Sequence, residues 1–235
     1  MAINKVMTSF DEAVADIQDG AVLLIGGFGT VVSCPSHLIE AVARLRVRNL
    51  TIAGNTAGFG KDVWILAGFP DTDDQDLLVR NGQVKKAIVS APVHSMVETT
   101  FERKLRAGEV EVEMVPQGTL AERIRASKAG IGGFYTPAGA DTVVGEGKET
   151  RIIDGRKYLL EYSLKADFAL IKAHKADPWG NLVYKGTSRT FNATMAGAAR
   201  VTIAEVDRIV ELGDLDPEVI VTPGLYVDRI VERPK

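Results

Sequence analysis

Ala21 to Ile25 is an unbroken apolar run that stops at Gly26-Gly27-Phe28-Gly29, and Pro35 then opens an amphipathic stretch from Ser36 to Arg46. A strand buried on both faces reads as a continuous apolar run. Strand, glycine loop and helix in succession form the building unit of a parallel α/β sheet. Glycine has no Cβ, reaches positive φ and leaves its N–H exposed, so a backbone can approach a ligand closely where such a strand ends. The loop does not spell a dinucleotide fingerprint. Gly27-Phe28-Gly29 begins G-x-G-x-x-G, but Val32 stands where the third glycine belongs. The next strand, Leu50 to Ala53, runs into Gly54-Asn55-Thr56, with no acidic residue to hold a ribose. No Gly-Lys-Ser/Thr follows, which excludes a P-loop. The same residues describe equally well a tight turn that holds no ligand.

The alternation continues along the chain. Ser9-Phe10-Asp11-Glu12 is a capping box that predicts a helix to about Gln18. Strands are expected at Leu50 to Ala53, Lys86 to Ser90 and Glu111 to Val115, with helices over Glu98 to Arg106 and Leu120 to Ala129. Gly130 to Gly147 is glycine-rich, contains Pro137 and lacks periodicity, so it reads as a long ordered loop. Lys157 to Tyr162, Phe168 to Ala173 and Asn181 to Tyr184 are spaced for hairpins around Asp154-Gly155 and Trp179-Gly180-Asn181. Ala193 to Arg200 reads as a short helix, and Val201 to Ala204 and Val219 to Val221 as strands. Asp71 to Asp76 reads as a solvated acidic loop. The expected fold is α/β: three layers, α/β/α, around a mainly parallel sheet, with a small β-rich part in the second half. One domain over residues 1–235 is expected from the length.

Composition removes several function classes. The net charge of −3 and the 6% aromatic content give no electrostatic or stacking case for nucleic acid, and no apolar run has the length of a membrane span. Met1 to Gln18 carries acidic residues and no long apolar core, so it does not read as a signal peptide; with the single cysteine, Cys34, this suggests a cytoplasmic protein. His37, His94 and His174 are far apart and no C-x-x-C or H-E-x-x-H occurs, so no metal site is expected. There is no G-x-S-x-G elbow. Cys34 lies just before a helix start, where a thiolate would be favoured, but a packing role beside Pro35 is the better reading.

Two neutral amides stand out at strand ends: Asn55 after the second strand, and Gln117 in Pro116-Gln117-Gly118 after the strand at 111–115. In a parallel sheet both would share one edge with Gly26 to Gly29. Amide N–H groups can hold a carboxylate or thioester oxygen without adding a titrating charge. Each amide alone is equally good turn chemistry.

These residues carry a resemblance. Asp19 to Gly29 resembles the first signature of family I coenzyme A transferases, and further matches follow in the same order. They are Val115-Pro-Gln-Gly-Thr-Leu-Ala-Glu-Arg-Ile-Arg125, Glu146 to Thr150, Ala166 to Asp177, Trp179 to Leu182 and Thr222-Pro-Gly224. The resemblance is to A (alpha) subunits of the 3-oxoacid and 3-oxoadipate type and covers nearly the whole chain. It implies transfer of coenzyme A from an acyl-CoA, often succinyl-CoA, to a 3-oxoacid such as 3-oxoadipate or acetoacetate, through anhydride and glutamyl-CoA thioester intermediates. It also implies a B (beta) subunit that supplies the glutamate, in a heterotetramer of two A and two B chains. No glutamate here sits in the B-type Ser-Glu-Asn-Gly setting, so no catalytic nucleophile is assigned to this chain. The family's coenzyme A contact falls on Gly26, Gly27, Phe28, Gly29 and Thr30, and its acyl or carboxylate pocket on Asn55 and Gln117. Coenzyme A enters as substrate, and no permanently bound cofactor is implied. There are departures: Ser33 where the signature has glycine, Asn55-Thr56 where many relatives carry Asn-Asn or Asn-Asp, and a longer segment from Lys61 to Asp76. The alternatives are a sugar-phosphate isomerase of similar architecture and an acyl-CoA-binding protein without a catalytic partner.

Overall fold

The computed structural model describes residues 3–28, 31–69, 72–94 and 97–234. In chain order its elements begin with α1 (Phe10–Val14), β1 (Val22–Ile25), α2 (Ser36–Leu45), β2 (Leu50–Gly54), α3 (Lys61–Leu66) and α4 (Asp76–Arg80). Next come β3 (Val84–Val89), α5 (Thr100–Arg106), β4 (Glu111–Met114), α6 (Gln117–Lys128), β5 (Gly133–Thr136) and β6 (Thr150–Ile153). The chain continues through β7 (Arg156–Tyr162), β8 (Ala166–Ala176), β9 (Leu182–Val183), α7 (Asn192–Met195), β10 (Ala199–Ile209) and β11 (Arg229–Glu232).

The main sheet runs β11-β10-β8-β1-β2-β3-β4, with every neighbouring pair parallel and β9 antiparallel on β8. Successive side chains of a strand point to opposite faces. Leu23 and Ile25 accordingly enter one core with Leu38, Ile39 and Val42 of α2 and Phe101 of α5. Leu24 enters the other, with Leu120 and Ile124 of α6 and Met195 of α7. Burial on both faces explains the unbroken apolar run of β1, and helices on both faces make the expected three layers. The β-rich part is a small antiparallel sheet, β5-β7-β6. Among the described residues no helix is long and apolar enough to cross a membrane.

Several local expectations need correction. The first helix stops at Val14: Ser9 caps it by accepting from the Glu12 N–H, but the Glu12 carboxylate turns to Thr8 instead of closing the box on Ser9. A reciprocal box does form at α5, between Thr99 and Glu102. The stretch 130–147 is not all loop, because Gly133 to Thr136 pairs with β7 through its backbone, which glycine composition does not reveal. The helix expected at 193–200 ends at Met195, and Ala199 already belongs to β10. Val219 to Val221 is not a strand, since Asp216 accepts from the Glu218 N–H and Pro217 starts a 3-10 turn there. The strand β11 is unexpected from the sequence; its Ile230 and Val231 are buried, and it extends the sheet beyond β10. The acidic segment is not solvated either, because Asp74 and Asp76 are 4% and 2% exposed. Asp71 lies outside the described residues.

The start of α2 has no side-chain cap of its own, since Pro35 holds the N-cap position. Glu205 of β10 takes that role and accepts from the His37 and Leu38 N–H groups at 2.9 and 3.2 Å. Arg233 Nε stands 3.1 Å from Glu205 Oε1, supplying charge, although the contact is too oblique to satisfy that oxygen as a hydrogen bond. Burial pushes the Glu205 carboxyl up to about 7, against the pull of Arg233 and the two N–H groups. A carboxyl raised in the folded state contributes stability that is full below its unfolded value near 4.5 and is lost as pH rises through about 7. Glu205→Gln removes that titration while keeping one acceptor for the helix. The fall in melting temperature between pH 5.5 and 8.5 is expected to be shallower in the variant than in the parent. Equal slopes would assign the titration elsewhere.

Candidate functional site

Parallel pairing brings the C-terminal ends of β1, β2, β3 and β4 to one edge. Asn55 follows β2 and is the junction there. Its carbonyl accepts from the Ser90 and Ala91 N–H groups at 3.2 and 3.0 Å, which ties the ends of β2 and β3. Its side-chain Oδ1 accepts from Ser90 Oγ at 2.9 Å and from Gln117 Nε2 at 2.8 Å. The structure therefore joins the two amides directly. Gln117 is placed by the entry of α6, which it opens after Pro116. Among the described residues no hydrogen bond occupies Asn55 Nδ2, so the pair retains a neutral donor at the sheet edge.

The glycine loop lies beside this pair, and its glycines do different work. Gly26 donates its N–H to Leu170 O at 2.9 Å, and a Cβ on it would stand 1.8 Å from Asn192 Oδ1. Its missing side chain therefore makes room for a neighbour in the fold. Gly27 has φ +113, and a Cβ there would meet only ordinary contacts, so backbone conformation and not space demands glycine. Phe28 is 42% exposed, donates its N–H to Ser33 Oγ at 3.3 Å, and stacks on Phe191 with centroids 6.1 Å apart. Gly29 and Thr30 lie outside the described residues.

Between the glycine loop and Asn55 is a narrow pocket of about 20 Å³, floored by Cys34 and Gln75 and walled by Phe59, Trp64 and Asp74. A space of that size holds about one water. The wall is a second glycine turn, which sequence reasoning missed. Gly58 and Gly60 have φ +100 and +88, and a Cβ on Gly58 would lie 2.2 Å from Asp76 N. Asp74 fills the turn: it accepts from Phe59 N at 2.7 Å, Gly60 N at 3.3 Å, Trp64 Nε1 at 2.8 Å and Asp76 N at 3.0 Å. Gln75 donates to Thr56 O at 2.9 Å, closing the wall against the residue after Asn55. The usable signal was Gly58-Phe59-Gly60 after a strand, but the aspartate it wraps lies 14 to 15 residues later. Phe59 also meets Trp64 and His94, with ring centroids at 5.5 and 4.9 Å.

Cys34 is 5% exposed, its Sγ 3.9 Å from Gln75 Oε1. Burial first, then the charges of Asp74 and Glu205, hold its thiol well above the usual range. Burial thus outweighs any pull of the helix start, and the thiol stays neutral, as a packing residue would.

Against known proteins, the family described as Coenzyme A transferase matches residues 7–233. The chain is 49% identical over 229 residues to the A-type subunit of the 3-oxoadipate CoA-transferase of Pseudomonas putida, covering 97% of this chain and 94% of that protein. It is 43% identical over 227 residues to the alpha chain of the acetate CoA-transferase of Escherichia coli K12, covering 97% and 96%. Among solved structures, the acyl-CoA transferase apoenzyme of Escherichia coli O157:H7 superposes with a TM-score of 0.83 at 23% identity, over 100% of this chain and 48% of that longer one. That likeness concerns the fold. The relatives favour neither a sugar-phosphate isomerase nor a partnerless acyl-CoA-binding protein.

Proposed function

The chain belongs to the coenzyme A transferase family, and on that premise we propose that it is the A-type subunit of an enzyme that moves coenzyme A from succinyl-CoA to a 3-oxoacid. The observation that carries this reading is the joined amide pair Asn55–Gln117 beside the glycine loop, at an edge that offers neutral amide donors. A B-type partner supplies the glutamate. Its carboxylate attacks the acyl thioester and expels the coenzyme A thiolate, leaving an anhydride. The thiolate then attacks the glutamyl carbonyl, releasing succinate and leaving a glutamyl-CoA thioester. The 3-oxoacid carboxylate repeats the two steps in reverse and departs as its acyl-CoA. Each step develops negative charge on a carbonyl oxygen, and a neutral donor fixed before the reaction stabilises it without reorganising.

In this reading Gly26, Gly27, Phe28, Gly29 and Thr30 approach coenzyme A, and Asn55 and Gln117 hold the acyl or carboxylate group. The narrow pocket between the glycine loop and Asn55 is completed by the partner, in a heterotetramer of two A and two B chains. The enzyme works in the cytoplasm, binds coenzyme A only as substrate, and uses residues 1–235 as one domain.

The test is co-expression with a B-type chain, followed by transfer assays from succinyl-CoA to 3-oxoadipate, acetoacetate and acetate. A 3-oxoacid is expected to be the preferred acceptor; preference for acetate would replace the substrate assignment. In the same assays Gln117→Ala is expected to lower kcat/KM for the acid by roughly 10- to 100-fold, the worth of a hydrogen bond to a charged group. Unchanged kinetics with every accepted acid would remove Gln117 from the site.

A further inference from the structure

We propose that Phe191 and Asn192 are positioning residues that hold the two ends of the glycine loop, and so set the approach of its backbone to coenzyme A. The proposal rests on the reading of that loop as the coenzyme A contact.

Asn192 is fully buried, and its carboxamide is used on both sides. Its Oδ1 accepts from Lys172 N of β8 at 2.9 Å, and its Nδ2 donates to Ser33 O at 2.9 Å and Ser188 O at 3.0 Å. Ser33 is the far end of the loop. The near end is Gly26, which lies against the same carboxamide so closely that a Cβ would overlap Oδ1. One side chain thus touches both ends. The neighbouring Phe191 takes the next point inward by stacking on Phe28, and the Phe28 N–H in turn reaches Ser33 Oγ. Two consecutive residues, more than 150 positions away in sequence, therefore fasten three points of the loop.

The chain bears strain to place them. Thr190, directly before Phe191, has φ +34 and ψ −137, a conformation that a β-branched residue rarely adopts. Such strain persists only where the surroundings over-determine it, and it concentrates where geometry serves function. Asn192 stands in an Asn-Ala-Thr triplet, but its burial denies it to glycosylation, and its bonds account for it fully.

A group that only fills the core would, when altered, lower stability and depress every kinetic constant together. A positioning pair acts on one substrate. The test uses Phe191→Leu and Asn192→Asp in the complex with a B-type partner, with Gly27→Val as the reference for the loop itself. Phe191→Leu stays apolar but loses the stack; Asn192→Asp keeps an acceptor for Lys172 N but cannot donate to Ser33 O. KM for acyl-CoA is expected to rise about tenfold or more in both, the scale of a misplaced binding element, with KM for the free acid within about twofold of the parent. Unchanged KM for acyl-CoA in folded variants, or a parallel loss in all constants together with melting temperature, would overturn the proposal. Should Asn192→Asp not fold, Phe191→Leu decides alone. If Gly27→Val also leaves KM for acyl-CoA unchanged, the fault lies in the reading of the loop. If Gly27→Val raises it and the other two do not, the positioning role alone fails.

Discussion

Purified without a partner, this chain is expected to transfer no coenzyme A, and addition of a B-type chain is expected to raise the rate by orders of magnitude. The ground is the state of Asp74 and Cys34, the carboxylate and the thiol among the described residues that line the pocket. Asp74 is the carboxylate among the described residues that line it, and both its oxygens are committed: Oδ1 to Gly60 and Asp76, Oδ2 to Phe59 and Trp64. To attack a thioester it would have to abandon four donors that have no other acceptor among the described residues. Cys34 is also within reach, but its buried thiol is neutral, and the thiolate is the reactive form. Loss of a nucleophile from a covalent mechanism costs on the order of a million-fold in turnover, so the difference between chain and complex is large enough to survive poor reconstitution. The measurement is acyl-CoA exchange by the chain, the partner and the mixture, with intact masses recorded after incubation with acyl-CoA. The coenzyme A adduct is expected on the partner and absent from this chain. Robust transfer by the chain alone, or an adduct on it, would reverse the assignment.

The half of the fold that positions the site was legible because its signals are local. β1 to β3 are short runs whose apolar residues enter two cores, and α5 carries its own capping box. Once the strands are parallel, Asn55 and Gln117 must share an edge, and the structure goes further by bonding them. What was not legible depends on partners far along the chain. The capping of α2 by Glu205 spans 167 to 168 residues, and the clasp of Asn192 on Ser33 spans 159. A glutamate inside an apolar strand and an asparagine that opens a short helix have no local feature that names such partners. The acidic segment at 71–76 misled for a related reason. Charge density usually marks solvent, and nothing within the segment shows that a glycine turn upstream will wrap Asp74. The two glycines at the start of the signature loop looked alike in sequence. One is required by a neighbouring side chain and the other by its own φ, a distinction only packing can make.

Asp74→Ala is expected to be among the most destabilising substitutions in the molecule and to open the pocket wall. It would strand the N–H groups of Phe59, Gly60 and Asp76 and the indole N–H of Trp64. A buried donor left unsatisfied costs about 1–3 kcal/mol, and relaxation or entering water recovers part of the sum, so a net loss of about 3 kcal/mol or more is expected. One effect opposes it. Burial, and then the nearby Asp74 charge, raise the Asp76 carboxyl, and removing that charge relieves Asp76, which Arg80 Nε still contacts at 2.9 Å. This relief is smaller than the loss, because burial, the larger cause, remains. Asp74→Asn should fall between parent and alanine: its carbonyl oxygen serves two of the four donors, while its NH₂ group faces the other two. Denaturant unfolding of the three proteins measures the order, and Trp64 emission reports whether the wall moves, with Trp64→Phe as the control for Trp179. In the assembled enzyme the alanine variant should also raise KM for the acid, because Phe59 and Trp64 lose the anchor that sets the pocket's width. If Asp74→Ala and the parent unfold at the same denaturant concentration, the carboxylate does not organise the turn, and the second glycine pair is held by something other than Asp74.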